Sequence, residues 1–155
     1  MVIKLFVFVS VCASLVFFHF ETLGNPTLET LGSGEFRIYS REYVRSPYVQ
    51  RKISIATGFI YFTHSNYAAR LRAKFNAIDG ESITLDSHKT PREIMRTLGG
   101  YREIETLDHP IVHITYAFSG RGRDFIDTAN GRVNLQISDR AGIVTVGWPV
   151  ILGSH

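Results

Sequence analysis

The C-terminal part of the chain alternates between apolar and polar residues, and this limits the chain to folds that contain a β-sheet. In RVNLQIS, Val133, Leu135 and Ile137 lie on one side of a strand, and Asn134 and Gln136 lie on the other. The segment IVTVGWPV repeats the pattern, and the four residues DRAG between the two segments are typical of a hairpin turn. The sequence therefore predicts a C-terminal β-hairpin.

Proline limits the second strand of this hairpin. Pro149 has no main-chain N–H to donate to a neighbouring strand. The last strand is therefore predicted to lie at the edge of a sheet or to end at this residue. By alternation, Trp148 is predicted to face the core.

Other segments upstream also have the composition or alternation of strands. They are Phe36–Val44, Lys52–His64, Tyr101–Leu107 and Ile111–Phe118. Gly58 lies in the middle of the second segment, which is one long strand or two strands with a bulge at the glycine. The polar connection Ser119–Gly131 is long enough to hold a short helical turn around Asp124–Asp127.

Two helices are predicted between these strands. The first lies within residues 65–80, ends at Gly80 and carries one apolar stripe, formed by Tyr67, Leu71, Phe75 and Ile78. The second begins after Thr90, with Pro91 at its first position and Glu93 placed to complete a capping box. Glycines at 99 and 100 end it.

These elements predict an α+β fold. Helices that precede a run of antiparallel strands, each with one apolar face, favour a two-layer sandwich with the helices packed on one face of an antiparallel sheet. The chain has 155 residues, with 45% apolar and 20% charged residues, which is the size and balance of one globular domain.

The N-terminus differs from the rest of the chain. Lys4 precedes 14 residues, Leu5–Phe18, that are almost all apolar. This length suits the core of a signal peptide, about 7–15 residues, better than a membrane-spanning helix of about 20. We predict a signal peptide or short membrane anchor at 1–20, a linker at 21–35 and a single domain at 36–155. The domain is then exported, either extracellular or anchored with its bulk facing outside.

Cysteine chemistry is excluded from the predicted domain. Cys12 is the only cysteine and lies inside the apolar N-terminal run. Residues 36–155 therefore contain no disulfide, no cysteine nucleophile and no cysteine metal ligand.

The C-terminal half resembles the YwmB family of exported bacterial proteins. The resemblance rests on VNLQI at 133–137, TVG at 145–147, Pro149 and Ile151, with the upstream segment HPIVHITYAFSGRGRDFI. It covers Thr90–Ile151. It implies a fold like the TATA-box-binding domain after an N-terminal apolar segment, and it implies no biochemical activity.

Four residues are candidates for binding. Asn134 and Gln136 are predicted to face outward, beside Thr145 and Gly147 of the partner strand, as a polar strip that a peptide or glycan approaches. The alternative is an ordinary solvated sheet face. Arg121 and Arg123, in the loop SGRGRD, are the other two candidates.

An enzymatic alternative uses different residues. Arg37, Ser65 and the pair Glu103 and Glu105 follow the order Arg, Thr/Ser strand end, Glu-x-Glu, which resembles the mono-ADP-ribosyltransferase toxins. In that family Arg and Ser shape the NAD site and the last Glu orients the ribose. This alternative requires all four residues to meet in one cleft.

The sequence shows no pattern typical of a zinc site, a cofactor-binding site, a hydrolase or a nucleic-acid-binding protein. His109 and His113 are four apart, but a strand makes them diverge, so no zinc site is predicted. No cofactor-binding fingerprint and no nucleophile elbow occur. The net charge is +3 with scattered basic residues, so nucleic acid is not the expected partner. We predict a non-enzymatic domain that binds a protein or envelope component; the alternative is a small secreted mono-ADP-ribosyltransferase-like enzyme.

Overall fold

The computed structural model of the protein describes residues 26–122 and 124–149. The strands are β1 Gly34–Ser40, β2 Arg51–Ile55, β3 Gly58–His64, β4 Gly80–Leu85, β5 Arg102–His109, β6 Val112–Phe118, β7 Ile126–Thr128, β8 Gly131–Val133, β9 Leu135–Arg140 and β10 Ile143–Trp148. The helices are α1 Ala68–Arg72 and α2 Pro91–Leu98, with 3-10 turns at Leu28–Leu31 and Ser65–Tyr67. The protein is a sheet-dominated α+β fold.

Eight of the strands form one antiparallel sheet. Their order is β2-β3-β1-β4-β10-β9-β6-β5, and β7 and β8 pair separately as a small hairpin. The C-terminal strand β10 therefore lies in the middle of the sheet, between β4 and β9. Strands from both halves of the chain meet at this position, which makes the sheet a single unit.

The hydrophobic core lies on one side of the sheet, which we name the first face. The register places Phe36, Ile38, Tyr61, Ile83, Val146 and Ile137 on this face, and all are buried in one cluster. Leu28 and Leu31 of the first 3-10 turn, Leu71 of α1 and Ile94 of α2 belong to the same cluster. The helical segments thus contribute their apolar side chains to the first face.

The predicted linker is wrong in its second half. Leu28 and Leu31 are fully buried, and β1 already begins at Gly34. In a 3-10 turn, residues three apart lie on the same side, so both leucines of LETL enter the core. At Gly34 a Cβ atom would lie 2.1 Å from the carbonyl oxygen of Thr84, so β1 approaches β4 too closely for any side chain.

The helix predicted within residues 65–80 is much shorter. Its α-helical part is Ala68–Arg72, because main-chain groups beyond it find other partners. The Glu42 carboxylate accepts from the N–H of Asn76 at 3.1 Å and of Ala77 at 2.7 Å. These N–H groups would otherwise continue the helical ladder. Phe75 and Ile78 pack against the core from irregular chain.

In three further segments the structure differs from the sequence-based expectation or decides between alternatives. The segment Lys52–His64 contains two strands, β2 and β3, which pair as a hairpin that turns at Ala56 and Thr57, so the alternative of one long strand is wrong. The strand predicted at Phe36–Val44 ends at Ser40. The connection that had room for a helical turn around Asp124–Asp127 instead contains β7, which begins at Ile126 and pairs with β8.

Two local predictions are confirmed. Thr90 and Glu93 form the capping box at the start of α2, with Pro91 at its first position. The hairpin of β9 and β10 turns tightly at Ala141 and Gly142, whose φ angles are +53° and +85°. The strand β10 ends before Pro149, as the missing N–H requires.

The predicted signal peptide or anchor at 1–20 lies outside the described residues. Within the described ranges, no helix is both long and apolar enough to cross a membrane.

Candidate functional site

The opposite side of the sheet, which we name the second face, carries one residue from each of the eight strands in a continuous row. The residues that pair across the sheet in this row are Arg51, Phe62, Arg37, Ser82, Gly147, Gln136, Tyr116 and Glu105. Large side chains lie at both sides of the row and small ones lie at its centre. The second face therefore has a low polar middle between taller flanks.

The middle of the second face is built from small hydroxyl-bearing residues. Thr84 of β4 and Thr145 of β10 are cross-strand partners whose hydroxyl oxygens lie 3.0 Å apart in a hydrogen bond. Ser138 of β9 is the next partner along that row. All three are partly exposed, so their hydroxyl groups remain accessible. In the neighbouring row, Ser82 and Gly147 are buried.

A cationic flank borders this middle on the β2 side. The Arg51 guanidinium carbon lies 3.7 Å from the ring centroid of Phe62, and that of Arg37 lies 5.4 Å from it. Glu35 bonds Arg37 at 2.8 Å and lies 3.8 Å from Arg51. One carboxylate between two guanidinium groups leaves a net positive charge, held against an aromatic surface.

The two amide side chains predicted to face outward do not. Asn134 is completely buried: its Oδ1 accepts from the N–H of Ser119 at 2.9 Å, and its Nδ2 donates to the carbonyl of Ser119 at 2.8 Å. Asn134 lies between β8 and β9, outside both strands, and its side chain points to Ser119, which directly follows β6. The prediction that it is exposed for binding is wrong.

Gln136 lies on the second face, as its alternation predicts, but only 8% of it is exposed. Its strand is central, and its cross-strand partners are Tyr116 and Gly147. Of the four residues of the predicted polar strip, only Thr145 is partly exposed, and Asn134, Gln136 and Gly147 are buried.

The other predicted binding residues lie in the loop after β6. Arg121 is exposed and packs along the chain at the end of α2, where its Nε would lie 3.2 Å from a Cβ placed on Gly100. Arg123 lies outside the described residues. Between them, Gly122 approaches Asn134 and Trp148. Arg121 is thus placed against α2, away from the second-face row.

The four residues of the enzymatic alternative do not converge. A bulge between Glu103 and Glu105 puts Glu103 opposite Ala117 and Glu105 opposite Tyr116, so the two carboxylates face opposite sides of the sheet. Arg37 shares the second face with Glu105. Five strand spacings separate β1 from β5, which is about 24 Å along the sheet. The Ser65 hydroxyl accepts from the N–H of Gly34 at 3.3 Å. The prediction of a common cleft is wrong.

The two histidines that are four residues apart lie on paired strands, His109 in β5 and His113 in β6. His109 pairs with Val112 and His113 pairs with Asp108 and Asp139, so the two histidines lie on opposite faces. His113 Nδ1 lies 2.7 Å from Asp108, and His88 Nε2 lies 2.9 Å from Asp139. No group of three potential ligands that could hold a metal ion occurs in the part of the chain that the structure describes.

The prediction that Trp148 faces the core is confirmed. The residue is 1% exposed and lies beside Glu81, its cross-strand partner. Its Nε1 is the one buried side-chain nitrogen or oxygen without a hydrogen-bond partner in the described ranges. The ring thus fills space at the cost of one unpaired donor.

A buried charge cluster was not predicted from the sequence. Arg72 of α1 donates to Glu81 at 2.6 and 2.9 Å and to Glu29 at 2.7 and 2.8 Å. Burial raises the pKa of Glu81 although Arg72 opposes the shift. Burial also opposes ionisation of Glu29, but hydrogen bonds from Arg72 and its own main chain outweigh it and lower that pKa. The cluster ties the N-terminal turn and α1 to β4, a structural role.

A cavity of about 450 Å³ lies at the end of the sheet beside the edge strand β2. Its apolar lining comes from Tyr39, Ile55, Phe59 and Ile60. At its rim, Arg41 lies 3.3 Å from Asp79. No sequence pattern predicts this cavity, because its walls come from three strands, β1, β2 and β3, that only the sheet order brings together.

No protein-family model, curated protein or solved structure matches the chain.

Proposed function

We propose that this protein is an exported or membrane-tethered, non-enzymatic domain that binds a protein or envelope component on the second face of its sheet. The observation that carries the proposal is the composition of that face. Ile53 and Ile55 at one edge of it and Leu107 at the other are 39%, 42% and 45% exposed, and the partly exposed hydroxyls of Thr84 and Thr145 lie between the two edges. Exposed apolar side chains next to polar groups are typical of interaction surfaces.

The relief of the second face suits an elongated partner. The partly exposed hydroxyls of Thr84, Thr145 and Ser138 lie in one row across three neighbouring strands, where an extended chain can approach them. Phe62 with its two arginines on one side and Tyr116 on the other provide aromatic and cationic contacts. These groups are of the kinds that contact a partner at a protein interface.

Export or tethering is supported by the sequence alone. Lys4 and the apolar run Leu5–Phe18 have the charge and length of a signal sequence or short anchor. The predicted domain contains no cysteine, so it folds without disulfides and depends on its core for stability in an oxidising compartment.

The proposed fold is a two-layer sandwich like the TATA-box-binding domain, related to the YwmB-like family. Its support is the common cluster formed by the first face with Leu28, Leu71 and Ile94. The sequence resemblance over Thr90–Ile151 supports the same assignment. A crystal structure of the full chain tests it: the assignment requires both helices on the first face and none against the second.

Site-specific crosslinking in the native host tests the binding role. A photo-crosslinking amino acid replaces Thr145 on the second face, and the matched control replaces the exposed Arg92 of α2 on the helix side. The proposal expects a discrete higher-mass product from position 145 and none from position 92. Equal products from both positions, or no product from position 145 in a folded and exported protein, contradict it.

Protease accessibility in intact cells tests the proposed export. Intact cells that express the full chain are treated with a protease, which is expected to degrade the domain. A Val9→Arg substitution interrupts the apolar run and is expected to retain the domain inside, protected from the protease. Protection of the unsubstituted chain contradicts export.

A further inference from the structure

The edge strand β2 has an unpaired side. It is the first strand in the sheet order and pairs with β3 alone among the described elements. Ile55 and Gly58 close its two-residue turn. In an antiparallel hairpin, hydrogen-bonded and non-hydrogen-bonded pairs alternate from the turn. The main-chain N–H and C=O groups of Lys52 and Ser54 therefore point away from β3, toward solvent.

The side chains of β2 differ between its two halves. Ile53 and Ile55, at the turn end, face the same side and are 39% and 42% exposed. The cavity of about 450 Å³ opens beside Ile55. This half of the edge thus offers an apolar surface for alternate side chains of an added strand.

The other half of β2 is cationic. Arg51 is 57% exposed at its side chain, and Lys52 Nζ lies 3.6 Å from the ring centroid of Tyr43. The guanidinium carbon of Arg45 lies 5.8 Å from the same ring centroid. Hydrogen bonds from Arg45 and Lys52 and their charges hold the pKa of Tyr43 below its usual value, a sign of the local positive field.

We infer that β2 binds an extended polypeptide segment with acidic and apolar residues, which adds to the sheet as a ninth strand. The inference rests on the proposed binding function and names its partner class. An antiparallel segment reads apolar–any–apolar–acidic–acidic, opposite Ile55, Ser54, Ile53, Lys52 and Arg51 in that order. Apolar side chains meet the isoleucines and the cavity, and carboxylates meet the two cations.

A second copy of the chain is the competing occupant. Two β2 strands paired about Ile53 would place Arg51 opposite Ile55 and Lys52 opposite Ser54, which pairs no cation with a carboxylate. Charged residues on an edge strand also discourage edge-to-edge pairing of identical chains. Charge complementarity therefore favours the acidic segment.

The test is a selection of random heptapeptides displayed on phage, carried out on the detergent-solubilised full chain. We expect enrichment of the apolar–any–apolar–acidic–acidic order. A synthetic peptide of the selected sequence is then titrated by fluorescence anisotropy against the wild type and two variants at one position. Ser54→Pro removes the outward N–H, which an edge strand tolerates, and Ser54→Ala keeps it.

The expected result is binding at least about tenfold weaker to Ser54→Pro and within about twofold for Ser54→Ala. A further variant replaces Arg51 and Lys52 by glutamate and leaves the main chain unchanged. It is expected to select basic peptides in place of acidic ones. This variant decides the test if Ser54→Pro fails to fold. Selected peptides without the pattern, or unchanged binding to a folded Ser54→Pro, overturn the inference. Self-association of the wild type that Ser54→Pro abolishes assigns the edge to a second copy and also overturns it. If position 145 still crosslinks while β2 selects no peptide, the proposed function stands and this inference falls.

Discussion

Asn134 binds both main-chain groups of Ser119, accepting from its N–H at 2.9 Å and donating to its carbonyl at 2.8 Å. Both residues are buried, and the N–H of Asn134 also donates to the carbonyl of Ala117 at 3.0 Å. One amide thus joins the junction of β8 and β9 to the end of β6. A side chain expected to bind a partner instead satisfies main-chain groups that a buried loop would leave unpaired.

Asn134→Ala is expected to destabilise the protein by about 2 kcal/mol or more, because it leaves the buried N–H and C=O of Ser119 unpaired. Chemical denaturation measures the free energy of unfolding. The control is Asn130→Ala, at an exposed turn position, which should change that free energy by less than about 0.5 kcal/mol. Similar effects from both variants would contradict the assigned role.

Arg72→Met is expected to cost about 3 kcal/mol or more of unfolding free energy, because the carboxylates of Glu29 and Glu81 stay buried without their partner. Adding Glu81→Gln to Arg72→Met should recover part of the loss, since one uncompensated charge disappears. Arg70→Met, at an exposed position of the same helix, is the control. An additive double variant would show that the pair is not coupled.

Ala141→Gly is expected to stabilise the protein by about 0.5–1 kcal/mol, because Ala141 has a φ of +53° in the turn between β9 and β10. Ala56→Gly, in the turn between β2 and β3, is the matched control. Its φ is not positive, so glycine there only increases the freedom of the unfolded chain and should destabilise. Thermal unfolding compares the two; a loss of stability in Ala141→Gly would refute the explanation.

The contribution of Glu42 to stability is expected to depend on pH. Hydrogen bonds from the N–H groups of Asn76 and Ala77 and from the Asn76 side chain lower the pKa of Glu42. Its contribution is therefore present above the pKa of an unfolded glutamate, near about 4.3, and is lost as pH falls through the lowered folded value. Unfolding free energies of wild type and Glu42→Gln should differ at pH 7 and converge at lower pH. A difference independent of pH would exclude this cause.

Trp148 is the single tryptophan of the chain and reports directly on the core. Its fluorescence is expected to be emitted at short wavelength in the native protein and to resist quenching by iodide. Both properties should change together when the protein unfolds in denaturant. Iodide quenching of the native protein as strong as that of the unfolded chain would place the ring at the surface.

Local signals in the sequence predicted several elements correctly. The cap of α2 depends on Thr90 and Glu93, which are three residues apart, and the end of β10 depends on Pro149 itself. Alternation also assigned Trp148 to the core. In each case the deciding interaction lies within a few residues, so the sequence contains the whole cause.

Predictions failed where a distant group decided the outcome. The helix predicted as far as Gly80 ends early because Glu42, more than thirty residues away, binds the N–H groups of Asn76 and Ala77. Glu103 and Glu105 face opposite sides of the sheet because β5 has a bulge between them where it pairs with β6. No pattern along the chain predicts such long-range competition.

The sequence by itself determined that this protein contains an antiparallel sheet with apolar alternation, a capped helix and an apolar N-terminal run, because periodicity and caps act through neighbours in the chain. Only the tertiary structure decided the order of the strands, which puts β10 at the centre and β2 at the edge. That order buries Asn134 and Gln136 and leaves Ile53 and Ile55 exposed, since burial depends on which strands lie alongside, and pairing between distant strands is a property of the whole fold.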